Sequence, residues 1–460
     1  MKIQLPIIKN IDQLSATDLR RDSLDILETG YESIIVEKLI HSKITLKDGH
    51  ICVADQKICL DDYERVFVIA VGKCAVSSAT ALEEILGDKI TNGIVLDVKK
   101  GNFKNMISEE GTHPLQSEKN VFVTERIVDL IKVANGKDLI LTIISGGGSA
   151  LMSLPFQSHN EDQKRFIEEL MKKGANITEI NTVRKHISEI KGGQFAQIAY
   201  PATVVSFILS DVPGDDLSVI ASGPTVMDKT TVKDAEEVLK KYEMEASKER
   251  FLIKLKETPK KDKYFEKVTN ILLGSNLVAL ETMKKKAEDL GYNTYIEDTK
   301  LEGEARILGE KLATKEYLPN SCHLWGGETT VLVSGSGGIG GRNQEFVLGA
   351  LPHIKDNMVV IGSASDGWDN SEMAGAIGDS RLFNRATDIG LDTKKYLNSN
   401  DSFEFFKQAG GHIRTGRTGA NVADFYMILK GGQLLGQEDE SYDESEFEEV
   451  SQEEDKEMEN

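Results

Sequence analysis

DLILTIISGGGSA, residues 138–150, is the stretch from which the rest of the chain can be read. An apolar, β-branched run over 139–144 predicts a fully buried strand. It stops at Ser145 and three consecutive glycines, after which 149–154 can start a helix. Three glycines in a row cost backbone entropy that a plain turn does not need. Between a buried strand and a helix, residues without side chains let backbone N–H groups approach an anion, and the helix start adds partial positive charge. The plainer reading is a tight βα connection that happens to be glycine-rich. The anionic ligand is the reading carried forward.

On either side the same rhythm recurs. A strand over 66–71 runs into the turn Gly72–Lys73 and a helix over 75–86; a strand at 94–98 and a helix at 121–133 follow. Beyond the opening stretch come helices at 166–173 and 176–191, the second ended by Gly192–Gly193. A strand over 204–209 then empties into SDVPGDDLSVIASGPT, residues 210–225. Strands alternating with helices predict a parallel sheet with right-handed crossovers, which binds ligands outside the carboxyl ends of its strands. Gly72–Lys73, Ser145–Gly148 and residues 210–216 are therefore expected on one rim.

Upstream, residues 17–42 predict one long amphipathic helix or two, and 44–60 a hairpin around Asp48–Gly49. Downstream, a charged helical stretch over 229–263 leads into a second α/β cycle. Its strands are expected at 271–273, 294–296, 322–325, 331–334 and 358–361, and its helices at 276–290, 304–314 and 342–351. Three glycine-rich connections, GGETT (326–330), GSGGIGG (335–341) and GSASDGWDN (362–370), punctuate it. The expected organisation is an α/β domain over 1–262, a second over 266–431 and an acidic, disordered tail over 436–460.

The length of 460 residues fits two domains better than one core. The formal charge of −20 is uneven: residues 438–460 hold 13 acidic residues and one lysine, which leaves only −8 on the body. A net acidic body argues against nucleic acid as a partner. No apolar run approaches the roughly 20 residues that span a bilayer. The start MKIQLPIIKN lacks a signal-peptide pattern. Cys52, Cys59, Cys74 and Cys322 have neither zinc nor disulfide spacing, so reduced thiols in a cytoplasmic protein are expected.

Several side chains sit where chemistry could occur. Lys73 follows a buried strand and could stabilise a phosphoryl group; the alternative is a solvated lysine. Asp211, Asp215 and Asp216 share one loop, where a carboxylate could hold Mg²⁺ or act as a base, with Asp211 first; Asp-Val-Pro-Gly-Asp is also good turn chemistry. Glu328 has the same strand-end placement. Arg342 opens a helix, where a guanidinium could clamp phosphate. Asp366 and Asp369 follow another strand. Glu328, Arg342 and these two could equally be caps or rim charges. His113 and His186 are expected to be structural or superficial. The Walker A pattern is absent. The pattern G-x-G-x-x-G occurs at Gly335, Gly337 and Gly340, although five glycines in seven residues match many patterns.

Taken together the motifs resemble the type-2 (MOFRL) glycerate kinases, which convert D-glycerate to 2-phosphoglycerate with ATP. The resemblance lies in VGKCA (71–75), ISGGGSALMSLP (144–155), NTVRKHISEIKGGQFA (181–196) and SDVPGDDLSVIASGPTV (210–226). It continues in GGETTV (326–331), GGRNQEF (340–346) and TGRTGANVADFY (415–426). It implies two Rossmann-like, three-layer α/β domains with the active site in the cleft between them, and ATP and Mg²⁺ as cofactors. Lys73 and Arg342 would contact the transferring phosphoryl group or the glycerate carboxylate, and Asp211 would orient or deprotonate the hydroxyl. Ser145, Gly146, Gly147, Gly148 and Ser149 would hold phosphate or carboxylate oxygens. Gly326, Gly327, Glu328, Gly340, Gly341 and Asn343 would lie near the nucleotide, with Asp366 and Glu328 near a metal. Ser365 and Ser371–Glu372 depart from the family's Thr-Asp-Gly and Pro-Thr, and Arg417 from its proline. Monomer and homodimer both stay open. Two competing readings are a hydroxypyruvate reductase using NAD(P)H at Gly335–Gly340, and a non-catalytic nucleotide-binding module whose tail recruits partners.

Overall fold

A computed structural model describes residues 5–333 and 337–432. The expected tail at 436–460 and Gly335 lie outside the described residues. No described helix is long and apolar enough to cross a membrane.

The opening stretch forms the strand Asp138–Ile144, buried at every position. It is β7 of the fifteen strands among the described residues. Before it come the meander β1 (Ile44–Lys47), β2 (His50–Val53) and β3 (Gln56–Cys59), then β4 (Arg65–Val71), β5 (Asn92–Asp97) and β6 (Ile107–Glu110). After it come β8 (Thr203–Leu209) and β9 (Val268–Gly274). Strands β4 to β9 make one all-parallel sheet in the order β6-β5-β4-β7-β8-β9. By chain position this is the 3-2-1-4-5-6 order of doubly wound dinucleotide folds. The chain winds outward from β4 to β6, then crosses back to β7. Order therefore reverses between β4 and β7, and the loops leaving those two strands face each other.

The second sheet is mixed. Strands β10 (Asn293–Leu301), β11 (Ser321–Gly327), β12 (Met358–Ala364), β13 (Gly375–Asp379), β14 (His412–Ile413) and β15 (Asp424–Lys430) lie in the order β10-β11-β15-β12-β13-β14. Only β10 and β11 pair in parallel; β15 inserts antiparallel between β11 and β12. The last strand among the described residues thus returns through the middle of the sheet. Residues 331–333 form no strand, against expectation, and Ser334 lies outside the described residues.

Local expectations are refined in three places. The N-terminal segment is two helices, Asp18–Ile34 and Val36–Lys43, separated by the extended Ile35. Residues 44–59 form a three-stranded meander instead of a single hairpin. The helix expected to reach Lys191 covers Ile177–His186. It stops there because Phe156 N bonds Ile187 O and Glu189 N bonds Leu154 O, at 2.9 and 2.8 Å, so the backbone pairs laterally instead of helically.

Strand pairing also crosses the division expected at 262–266, since β9 completes the first sheet. In the other direction, helix Asp18–Ile34 belongs with the second sheet. Arg20 Nε and Nη2 bond the two carboxylate oxygens of Asp379 at 2.6 and 3.0 Å, and Tyr31 donates to Ala364 O at 2.9 Å. One buried cluster holds Leu24, Val68, Leu141, Leu280, Phe425 and Met427 together, so the two sheets share a core.

Candidate active site

The turns after β4 and β7 are bonded to each other: Ser145 N donates to Val71 O at 3.0 Å and Lys73 N to Gly146 O at 2.9 Å. Gly72 adopts φ +130°, and a Cβ there would sit 2.0 Å from Ser145 Oγ, so only glycine lets the two turns touch. Gly147, at φ +83°, then starts a single helical turn, Gly148–Leu151, shorter than the expected 149–154. The N–H groups of Gly148, Ala150 and Leu151 are used inside this turn, each at 3.1 Å from its acceptor. The triple glycine serves close approach as well. A Cβ on Gly146 would lie 2.1 Å from Asp211 Oδ2, and one on Gly147 3.1 Å from Lys73 Cγ.

Three loops expected on one rim thus converge, with Lys73 and Asp211 beside the glycine turn. Burial pushes the Asp211 carboxyl up, and the nearby Lys73 ammonium pulls it back. Burial and Lys73 together lower His113. Ser149 Oγ lies 3.1 Å from Ser222 Oγ, which donates to Asn181 Oδ1 at 3.0 Å. Asp216 does turn work instead, accepting from Ser218 N at 2.9 Å.

Arg342 opens the helix Arg342–Ala350 on the second-sheet side. Its Nη1 donates to Glu328 Oε1 at 2.5 Å, and its Nε and Nη2 grip both oxygens of Asp424, the latter at 3.2 Å. These two carboxylates raise the Arg342 guanidinium further, while burial pushes Asp424 up to about 6 against the pull of Arg342. Asp369 caps the same helix, accepting from Asn343 N at 3.0 Å and Gln344 N at 2.8 Å.

A cavity of about 850 Å³ opens between the two rims. Gly147, Ser149, Asp211 and His113 line it from the first sheet, and Glu328 and Arg342 from the second. Lys73 stands behind Gly147. His113, expected to be structural or superficial, is exposed and faces the cavity. His186 is buried, with Nδ1 2.8 Å from Thr182 O, as a structural histidine.

Other expected residues are placed by packing. A Cβ on Gly326 would lie 1.5 Å from Asn276 Oδ1, on Gly327 2.3 Å from Leu301 N, on Gly340 2.2 Å from Ser402 Oγ and on Gly341 2.3 Å from Asp369 Oδ1. Asn343 Nδ2 donates to Asp369 Oδ1 at 3.1 Å. Within the expected nucleotide set, Glu328 is the described residue that lines the cavity. Asp366 does not line it; it accepts from Trp368 N at 2.9 Å and faces Arg417 at 3.5 Å. Among the described residues no group of three or more His, Cys, Asp or Glu is arranged to hold a metal.

Residues 22–254 match DUF4147, a domain of unknown function, and residues 321–424 match the MOFRL family. The D-glycerate 2-kinase of Thermotoga maritima is 36% identical over 428 residues, covering 89% of this chain and 98% of the relative. The chain belongs to the MOFRL glycerate kinase family. A crystal structure of glycerate kinase from Thermotoga maritima superposes with a TM-score of 0.80 at 34% identity, covering 90% of this chain and 99% of that one. A putative hydroxypyruvate reductase of Agrobacterium vitis is also 35% identical, over 84% of this chain and 93% of its own length.

The departures from the glycerate kinase pattern are absorbed locally. Ser365 Oγ accepts from Val422 N at 2.8 Å, Ser371 Oγ accepts from Gln344 Nε2 at 3.0 Å, and the Arg417 guanidinium lies 4.2 Å from the Trp368 ring. Two cations that sequence reasoning passed over, Arg184 and Lys191, also line the cavity. Both lie in the motif NTVRKHISEIKGGQFA, but its spacing assigns them no role; their place at the cavity wall, with Lys191 buried and Arg184 half-buried, does.

Proposed function

We propose that this chain is a glycerate 2-kinase that moves the γ-phosphoryl group of ATP to the 2-hydroxyl of D-glycerate. The observation that carries the reading is the placement of Asp211 against Gly146, within the field of Lys73 and across one cavity from Arg342 and Glu328. Phosphoryl transfer asks mainly for positioning and charge neutralisation, which this set can supply. Asp211, its carboxyl raised by burial, takes the hydroxyl proton as the new O–P bond forms and the β–γ bridging bond breaks. Lys73 and Arg342 balance charge on the transferred group, and the Ser145–Ser149 turn holds substrate oxygens.

Glu328 supplies a cavity-facing carboxylate that fits a Mg²⁺ ion entering with the nucleotide, because Mg²⁺ keeps several waters and takes only one or two protein carboxylates. The ion would neutralise charge on the phosphates. Asp366, engaged with Arg417, has no part in this set. Gly326, Gly327, Gly340, Gly341 and Asn343 shape the wall behind Glu328.

Incubation with D-glycerate and MgATP, followed by ³¹P NMR, is expected to yield 2-phosphoglycerate and ADP. Formation of 3-phosphoglycerate would move the acceptor to the other hydroxyl. The name of the Agrobacterium relative favours a second reading, reduction of hydroxypyruvate with NADH. Against it, the first βα turn, Val71-Gly72-Lys73-Cys74-Ala75, has one glycine where a dinucleotide fold needs three. Oxidation of NADH with no phosphoryl transfer would reverse the assignment.

A further inference from the structure

The cavity wall formed by the end of helix Ile177–His186 and the segment after it carries two cations that make no ion pair among the described residues. Arg184 sits in the last turn of that helix and Lys191 seven residues on; both line the cavity. Lys191 is 4% exposed, and its Nζ donates to Met152 O at 3.0 Å, which pins it beside the glycine turn. Among the described residues neither cation has a carboxylate within 4 Å, whereas the adjacent Lys185 pairs with Asp228 at 3.2 Å. Burial lowers Arg184, and burial plus the proximity of Arg184 lowers Lys191 to about 7.

A buried ammonium beside a half-buried guanidinium is unfavourable unless an anion joins them. A protein that needed this wall only for packing would do better with apolar side chains of the same volume. We infer that Arg184 and Lys191 form the subsite for the carboxylate of the acceptor, on the reading that the acceptor is glycerate. A guanidinium matches a carboxylate in a planar, two-bond fork. The phosphate charge of the nucleotide would have its own partners in Lys73, Arg342 and a Mg²⁺ ion that Glu328 could hold. In glycerate the carboxylate is bonded to the carbon that bears the 2-hydroxyl, so anchoring it here fixes that hydroxyl relative to Asp211. The subsite therefore selects 2-hydroxy acids over neutral polyols.

The test is calorimetric binding of D-glycerate to the full chain without nucleotide, alongside steady-state turnover with MgATP. Arg184→Gln and Lys191→Met are expected to weaken D-glycerate binding at least about 30-fold, the loss typical of removing one member of a buried charged pair. The KM for MgATP should stay unchanged and Arg184→Lys should fall between. D-glyceramide, which replaces the carboxylate by a neutral amide, should bind wild type and variants equally poorly. Unchanged D-glycerate binding in both variants overturns the inference, and so does a rise in the MgATP KM without loss of D-glycerate binding, which would assign the cations to phosphate. Wild-type binding of D-glycerate without phosphoryl transfer would overturn the kinase reading alone and leave the subsite standing. Variants that transfer phosphoryl with wild-type glycerate KM would overturn the subsite alone. Unchanged far-UV circular dichroism and melting temperature for Arg184→Gln, which loses no ion pair, controls for folding.

Discussion

The two rims that face each other across the cavity treat charge in opposite ways. On the first-sheet side, the half-buried Arg184 and buried Lys191 have no carboxylate within 4 Å among the described residues, and Lys73 acts on Asp211 through space. On the second sheet, Arg342 is already held by Asp424 and Glu328. An unpaired buried cation gains its counter-charge only when ligand binds. A paired guanidinium is fixed in place before any ligand arrives. The first rim is thus built for recognition, and the second for preorganisation of an electrostatic wall.

The largest effects should separate these roles. Lys73→Ala and Arg342→Ala are each expected to lower kcat by roughly 10²–10³, the usual cost of one transition-state donor. Their stabilities should differ. Lys73 leaves no broken ion pair, so its melting temperature should hold. Loss of Arg342 strands the buried Asp424 and should cost about 3–5 kcal/mol. Equal melting temperatures for the two variants would break the comparison.

Next in size is Gly146→Ala. Its Cβ would meet Asp211 Oδ2 at 2.1 Å, so the carboxylate must move, and displacement by about 1 Å can cost roughly 10²-fold in kcat. Wild-type turnover in this variant would remove Asp211 from the chemistry.

The pH dependence sharpens the contrast further. Lys191, lowered to about 7 by burial and by Arg184, is charged below that pH and neutral above it. The apparent KM for D-glycerate should therefore rise above about pH 7, and the rise should vanish in Lys191→Met. Stability of the unliganded protein runs the other way. The unfolded chain keeps an ordinary lysine and binds more protons above pH 7, so this group's contribution is present at high pH and lost as pH falls through about 7. A flat KM profile from pH 6 to 9 would contradict this account.

The smallest effect belongs to Glu328→Gln. Its side chain is 47% exposed and Asp424 still holds Arg342, so stability should change by less than about 1 kcal/mol. The KM for MgATP should rise while kcat stays close to wild type.

Much of the first sheet was legible because each of its central strands is buried on both faces. Such strands read as unbroken apolar runs, and Val66–Val71 and Leu139–Ile144 announce themselves. Lys73 and Asp211 were legible for a related reason, since they follow those runs where a parallel sheet presents its rim. The second sheet was less so. Its glycines at 326, 327, 340 and 341 read as ligand contacts from the sequence, and the fold gives them a second reason, since they make room for Asn276, Leu301, Ser402 and Asp369. A glycine needed for packing and one needed for phosphate have the same one-letter code.

What the sequence determined by itself was the rhythm of strands, helices and turns, because hydrophobic period and glycine placement act over a few residues. Tertiary structure alone decided that β15 returns through the middle of the second sheet and that helix Asp18–Ile34 joins that sheet. It alone decided that Lys191 is buried and Arg184 half-buried at the cavity wall. Pairing partners and desolvation depend on what distant parts of the chain bring alongside, and no local pattern encodes that neighbour.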